Sequence, residues 1–149
     1  MAERTFRDGV RAMAPLVVAV IGFAISFGVL ARAAGFGWCA PIVMSATTFA
    51  GSAQFAAASI LGGSGAAVAA IAAAVLLNAR YAPISISVAP LFHGPRLRRL
   101  VEAQLIVDES WALAGRSGRF DRRLLLGAGL LLYAAWLSGT AVGVVAGHA

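Results

Sequence analysis

The sequence predicts an all-α, polytopic membrane protein with at least one broken or re-entrant helix, on three observations. Of its 149 residues, 60% are hydrophobic and only 12% charged, about half the charged fraction of a soluble domain; mean hydropathy is +0.86. The twelve basic and six acidic residues are bunched, leaving uncharged runs of 20 residues (12–31), 47 residues (33–79) and 24 residues (124–147). A helix needs about 20 apolar residues to cross roughly 30 Å of hydrocarbon, so the outer runs suit one crossing each and the middle run two. As buried helices of a soluble bundle, these runs would leave too little polar surface to cover them. The third observation is the placement of the arginines, which requires one membrane segment to be discontinuous.

Each element follows from its residues. After a polar lead, MAERTFRDGVR, the first helix is expected from about 13 to 33, with Pro15 tolerated in its first turn and Gly22, Ser26 and Gly28 forming a small-residue face. Glu3 and Asp8 and the length of the apolar run argue against a cleaved leader. Arg32 reaches the opposite interface, and Gly35 and Gly37 mark a turn. A second apolar segment covers 41–61, and Gly62–Gly65 breaks it. A third covers 66–92, with Asn78, Arg80, Tyr81, Pro83 and Pro90 inside it. Residues 101–114 are too short to cross and form an amphipathic or re-entrant piece. The last helix is expected over 124–145, so that 1–149 makes a single membrane domain.

Arginine counting sets the topology. Arg4, Arg7 and Arg11 precede the first helix, Arg96, Arg98 and Arg99 follow the third segment, and Arg116, Arg119, Arg122 and Arg123 precede the last helix. The positive-inside tendency places all three clusters, and the N-terminus, in the cytoplasm, which demands an even number of crossings between the first and second clusters. Either the FAGSAQF region (49–55) enters the membrane and returns on the same side, the preferred solution, or both middle segments cross and PISISVAPLF forms a returning half-helix. The sequence pI near 11.3 comes entirely from arginines flanking hydrophobic runs. Their roles are topology and headgroup contact, and no nucleic-acid partner is expected.

Backbone outside a helix is tolerated at membrane depth only where it is buried in protein or lines a wet cavity, and the ends of broken helices in secondary transporters hold solutes. Gly51, Ser52 and Gln54 are therefore candidate substrate-binding residues: glycine permits close approach, serine adds a hydroxyl, and glutamine offers donor and acceptor. Their plain alternative is helix packing. Asn78 and Arg80 join them, because a charge near the middle of a span needs a partner or solvent; snorkelling beside Tyr81 is the alternative. Asp108 and Glu109 are candidates for proton or cation coupling, against an ordinary role at a helix N-terminus.

No P-loop, dinucleotide fingerprint, zinc motif or nucleophile elbow occurs, His93 and His148 are isolated, and Cys39 is a lone cysteine. No catalytic residue, cofactor or metal is expected, and the chain does not read as an enzyme.

Taken together, PLVVAVIGFAISFGVLARAAG (15–35), FAGSAQFAAASIL (49–61), LLNARYAPISISVAP (76–90) and VDESWALA (107–114) resemble the AzlC family of bacterial branched-chain amino-acid permeases. The resemblance implies export of valine, isoleucine, leucine and related neutral amino acids such as methionine across the bacterial inner membrane, with a small hydrophobic partner of the AzlD family. It implies interest in Phe49, Gly51, Ser52, Gln54 and Phe55, in Asn78, Arg80 and Tyr81, and in Asp108 and Glu109. An apolar substrate pocket is expected around Phe49, Phe55 and Ile84. Family members generally continue past the point where this sequence ends, so a truncated product, a fragment or a short relative is expected. A non-transporting membrane subunit is the alternative function, and a passive channel a third.

Overall fold

The computed structural model describes residues 5–115 and 119–147; Arg4, Arg116 and His148 lie outside the described residues. The described elements are helical: α1 Phe6–Met13, α2 Val17–Ala33, α3 Cys39–Thr47, α4 Gly51–Gly62, α5 Ala67–Asn78, α6 Tyr81–Val88, α7 Arg96–Ala103, α8 Asp108–Ala114 and α9 Arg122–Ala146, with 3₁₀ turns at Ala14–Leu16 and Ala89–Leu91. Among the described residues, three helical stretches are long and apolar enough to cross a membrane: Phe6–Ala33, Ala67–Leu91 and Arg122–Ala146. The chain is thus an all-α, polytopic membrane protein with interrupted helices.

The first stretch begins at Phe6, not near residue 13 as the apolar run suggested. The reason is a reciprocal cap: the Thr5 N–H donates to Asp8 Oδ2 at 2.8 Å and the Asp8 N–H donates to Thr5 Oγ1 at 3.3 Å, satisfying donors that a helix start otherwise leaves open. Pro15, lacking an N–H, then falls within the helix and is absorbed by the 3₁₀ turn. The 67–91 stretch turns at Ala79–Arg80. Pro83 explains this, since its ring opposes the carbonyl four residues back, that of Ala79.

The apolar segment at 41–61, which holds the preferred site of a re-entrant turn at FAGSAQF, falls on two helices. α3 has 9 residues and α4 has 12; at 1.5 Å per residue, neither alone spans the hydrocarbon. Between them Phe49 takes a left-handed conformation (φ 41°), which costs a bulky residue about 1–2 kcal/mol. The piece expected over 101–114 is likewise two short helices, α7 and α8, separated by a turn at Gln104–Leu105.

The chain forms two compact units. In the first, made of residues up to Val17 with Tyr81–Tyr133, Ile84, Val88, Ile106, Ala114 and Leu125 form an apolar cluster. Trp111 packs against it, donating from Nε1 to Ser87 Oγ at 2.8 Å. α7 is tied to the start of α9 through Glu102, which accepts from Arg98 Nε at 2.8 Å and from Arg122. Burial acts to raise the Glu102 carboxyl, but the hydrogen bonds from Arg122 and Arg98 outweigh it and hold it below its ordinary value.

In the second unit, Val18–Arg80 with the chain from Ala134 onward, α2 and α9 approach at backbone distance. A Cβ on Gly28 would lie 2.5 Å from the Thr140 carbonyl oxygen and 2.7 Å from Val144 N. One on Gly139 would lie 2.6 Å from the Ala24 Cβ. Small residues let helices in lipid gain van der Waals contact, where no hydrophobic drive between helices operates.

Candidate functional site

The second unit holds the break between α3 and α4, and a network of side chains organises it. Gln54 sits in the first turn of α4, and its Oε1 accepts the N–H of Ala50, the residue that opens the helix, at 3.2 Å. Its Nε2 donates to Ser45 Oγ on α3 at 2.9 Å. Trp136 Nε1 on α9 reaches both Gln54 Oε1 and Ser45 Oγ at 3.1 Å, and Thr140 Oγ1 lies 2.9 Å from Ser45 Oγ. Ser45, Gln54 and Thr140 have no exposed surface. The network fastens both sides of the break to α9, with Gln54 supplying donor and acceptor simultaneously.

Aromatic rings close around it. Phe27 of α2 is fully buried, stacked 6.1 Å from Trp136 and edge-on to Phe55 at 5.8 Å. Gly51 is required here, since a Cβ on it would stand 2.9 Å from the Trp136 ring.

On another side of α4, Ser52 is exposed and its Oγ accepts a hydrogen bond from Arg80 Nη2 at 3.2 Å. No side chain caps α4 at Ala50. The helix therefore presents its first N–H groups and the positive end of its dipole beside a serine hydroxyl and a guanidinium, an arrangement suited to an anionic group. Asn78, two residues before Arg80, has a buried Oδ1 with no hydrogen-bond partner. It borders a depression of about 430 Å³ with Ile71, Ala74, Val75 and Ala79. An orphaned carbonyl oxygen beside apolar walls is an acceptor held ready for a donor.

The residues singled out from sequence thus divide. Ser52 and Arg80 are in contact, Asn78 carries an open acceptor, and Gly51 and Gln54 face the enclosed network. Ile84, expected with Phe49 and Phe55 around a substrate, packs in the apolar cluster of the first unit. Asp108 and Glu109 are the first residues of α8 in that unit, Asp108 half-buried and Glu109 exposed. Trp136 and Thr140 had no sequence signal linking them to the break; with Tyr133 and Ser138 also in α9, nothing local set these two apart.

An all-α membrane protein whose interrupted helices carry polar groups at their ends is the class that this geometry defines. Residues 15–149 match the family described as AzlC protein, and the chain belongs to it. It is 37% identical over 149 residues to an uncharacterized membrane protein of Archaeoglobus fulgidus, covering 95% of this chain and 63% of that one. It is 27% identical over 146 residues to the branched-chain amino acid transport protein AzlC of Bacillus subtilis, covering 95% and 58%. It is 24% identical over 159 residues to the inner membrane protein YgaZ of Escherichia coli, covering 96% and 61%. The chain thus spans about three fifths of the length of these relatives. No solved structure matches it.

Proposed function

We propose that this chain forms the substrate-handling part of a secondary transporter that exports branched-chain and related neutral amino acids, such as valine, isoleucine, leucine and methionine, across a bacterial cytoplasmic membrane. The observation that carries the proposal is the uncapped start of α4, with Ser52 and Arg80 joined beside it at 3.2 Å. The family and the name of the Bacillus subtilis relative support the substrate class.

In this reading the amino acid's carboxylate is received by the first N–H groups of α4, the Ser52 hydroxyl and Arg80, and its ammonium by Asn78 Oδ1. Gly51 and Gln54 act from behind, holding the broken end against α9. The aliphatic side chain lies against apolar residues near Phe49 and Phe55. An apolar pocket separates substrates differing by one methylene by only about 1–3 kcal/mol, so overlapping use of valine, isoleucine and leucine follows. Asp108 and Glu109 are the carboxylates proposed to couple transport to protons. A small hydrophobic subunit of the AzlD family is the proposed partner, membrane lipid surrounds both, and the N-terminus is cytoplasmic.

Counterflow of labelled valine into vesicles reconstituted with the chain, with and without that partner, tests the proposal. Saturable exchange inhibited by leucine and isoleucine is expected. Its absence in both preparations, with correctly inserted protein, would reduce the chain to a non-transporting membrane subunit.

A further inference from the structure

A groove of about 330 Å³ lies in the first unit, bounded by Ala89, Phe92, Leu100 and Ile106 on its apolar side and by Arg96 and Arg99 at its polar edge. That volume is at the small end of ligand sites, roughly 300–1,000 Å³. We infer that this groove holds an anionic phospholipid, its phosphate on Arg96 and Arg99 and the start of its acyl chains along the apolar wall.

The charge is uncompensated. Among the described residues, neither Arg96 nor Arg99 has a hydrogen-bond or ion-pair partner, whereas Arg98 of the same helix is bound to Glu102. No carboxylate lines the groove, and the one acidic side chain of α7 is occupied by Arg98 and Arg122. α7 also opens with no acidic residue in its first turn and no side-chain cap, so its guanidiniums are stacked at the positive end of a helix dipole, where an anion is favoured and further cations are not.

Depth selects a lipid over other anions. The Ala67–Leu91 span ends five residues before α7, and Glu102 ties α7 to Arg122, where the next span begins. No described helix between them is long enough to cross, so both span ends belong to one membrane face and the groove lies at headgroup level. Leu97, Leu100 and Val101 are each more than 60% exposed. Apolar and basic faces side by side on a short helix are the pattern of a segment lying in the interface, and anionic lipids attract basic residues there.

The test is native mass spectrometry of the purified full chain in neutral detergent, titrated with phosphatidylglycerol, phosphatidylcholine or inorganic phosphate. The wild-type chain is expected to retain phosphatidylglycerol in preference to phosphatidylcholine. R96Q/R99Q is expected to lower phosphatidylglycerol retention by about tenfold to thirtyfold, R96K/R99K to keep most of it, and R7Q/R11Q to leave it unchanged. Helicity by circular dichroism confirms folding of each variant. Undiminished retention in R96Q/R99Q, an equal loss in R7Q/R11Q, or displacement of the lipid by millimolar phosphate would each overturn the assignment.

Discussion

Two residues apart on α4, Ser52 is exposed with its hydroxyl on Arg80, while Gln54 is enclosed with Ser45, Trp136 and the Ala50 N–H. At 3.6 residues per turn such positions point to different sides of a helix, and the polarity of FAGSAQF therefore does two jobs. Gln54→Leu leaves the buried Ala50 N–H without its acceptor, at about 1–3 kcal/mol, while Ser45 Oγ keeps Thr140 and the Trp136 indole N–H as partners. We expect a clear fall in thermal midpoint in detergent, and an unchanged midpoint would show that the network adds no stability. Ser52→Ala is expected to leave the midpoint unchanged while raising the valine concentration needed for half-maximal counterflow. Glu102 gives a pH signature. Its folded value is lowered from an ordinary 4.5, so its contribution is complete above about 4.5 and is lost as pH falls through the lower folded value. The stability gap between wild type and Glu102→Gln is expected to close on acidification in that window; a gap independent of pH would contradict the Arg98–Glu102–Arg122 link.

The helices themselves were partly legible. Arginine placement required a discontinuity, and Pro83 accounts for the turn at Ala79–Arg80. Thr5 and Asp8 carried the signal for the early helix start, three residues apart as a capping pair requires. The break at Thr48–Ala50 falls beside FAGSAQF, one of the two places where the arginine placement allowed a discontinuity, but its cause was not readable, because no proline makes it. It is held by hydrogen bonds to Trp136 and Thr140, 82 to 95 positions away in the sequence, and such pairings leave no local pattern. Glycines show the same limit. Gly22 and Gly28 share the small-residue face proposed for α2, yet a Cβ on Gly22 meets nothing within 4 Å while one on Gly28 meets the α9 backbone. Gly22→Ala is therefore expected to stabilise by about 0.5–1 kcal/mol through helix propensity, and Gly28→Ala to lower the thermal midpoint. Equal effects of the two would mean that α2 and α9 do not pack closely at Gly28.

For the whole molecule, the membrane class was legible from charge spacing, because the physics of lipid acts on runs of residues and not on contacts. Topology can be read with single cysteines in a Cys39→Ser background. If 39–62 enters and returns on one side, Ser64→Cys reacts with an impermeant reagent from outside the cell, and His93→Cys reacts only after permeabilisation. Protection of Ser64→Cys from outside would favour the solution in which both middle segments cross. The central claim is that the uncapped start of α4, with the exposed Ser52 and Arg80, recognises a carboxylate. It is tested most directly by labelled-valine counterflow in vesicles containing the chain and its small partner, with isobutylamine, which is valine without its carboxylate, as competitor. The account predicts that leucine competes and isobutylamine does not, and that Arg80→Gln weakens valine exchange at unchanged protein insertion. Equal competition by isobutylamine, or full exchange by Arg80→Gln, would contradict it.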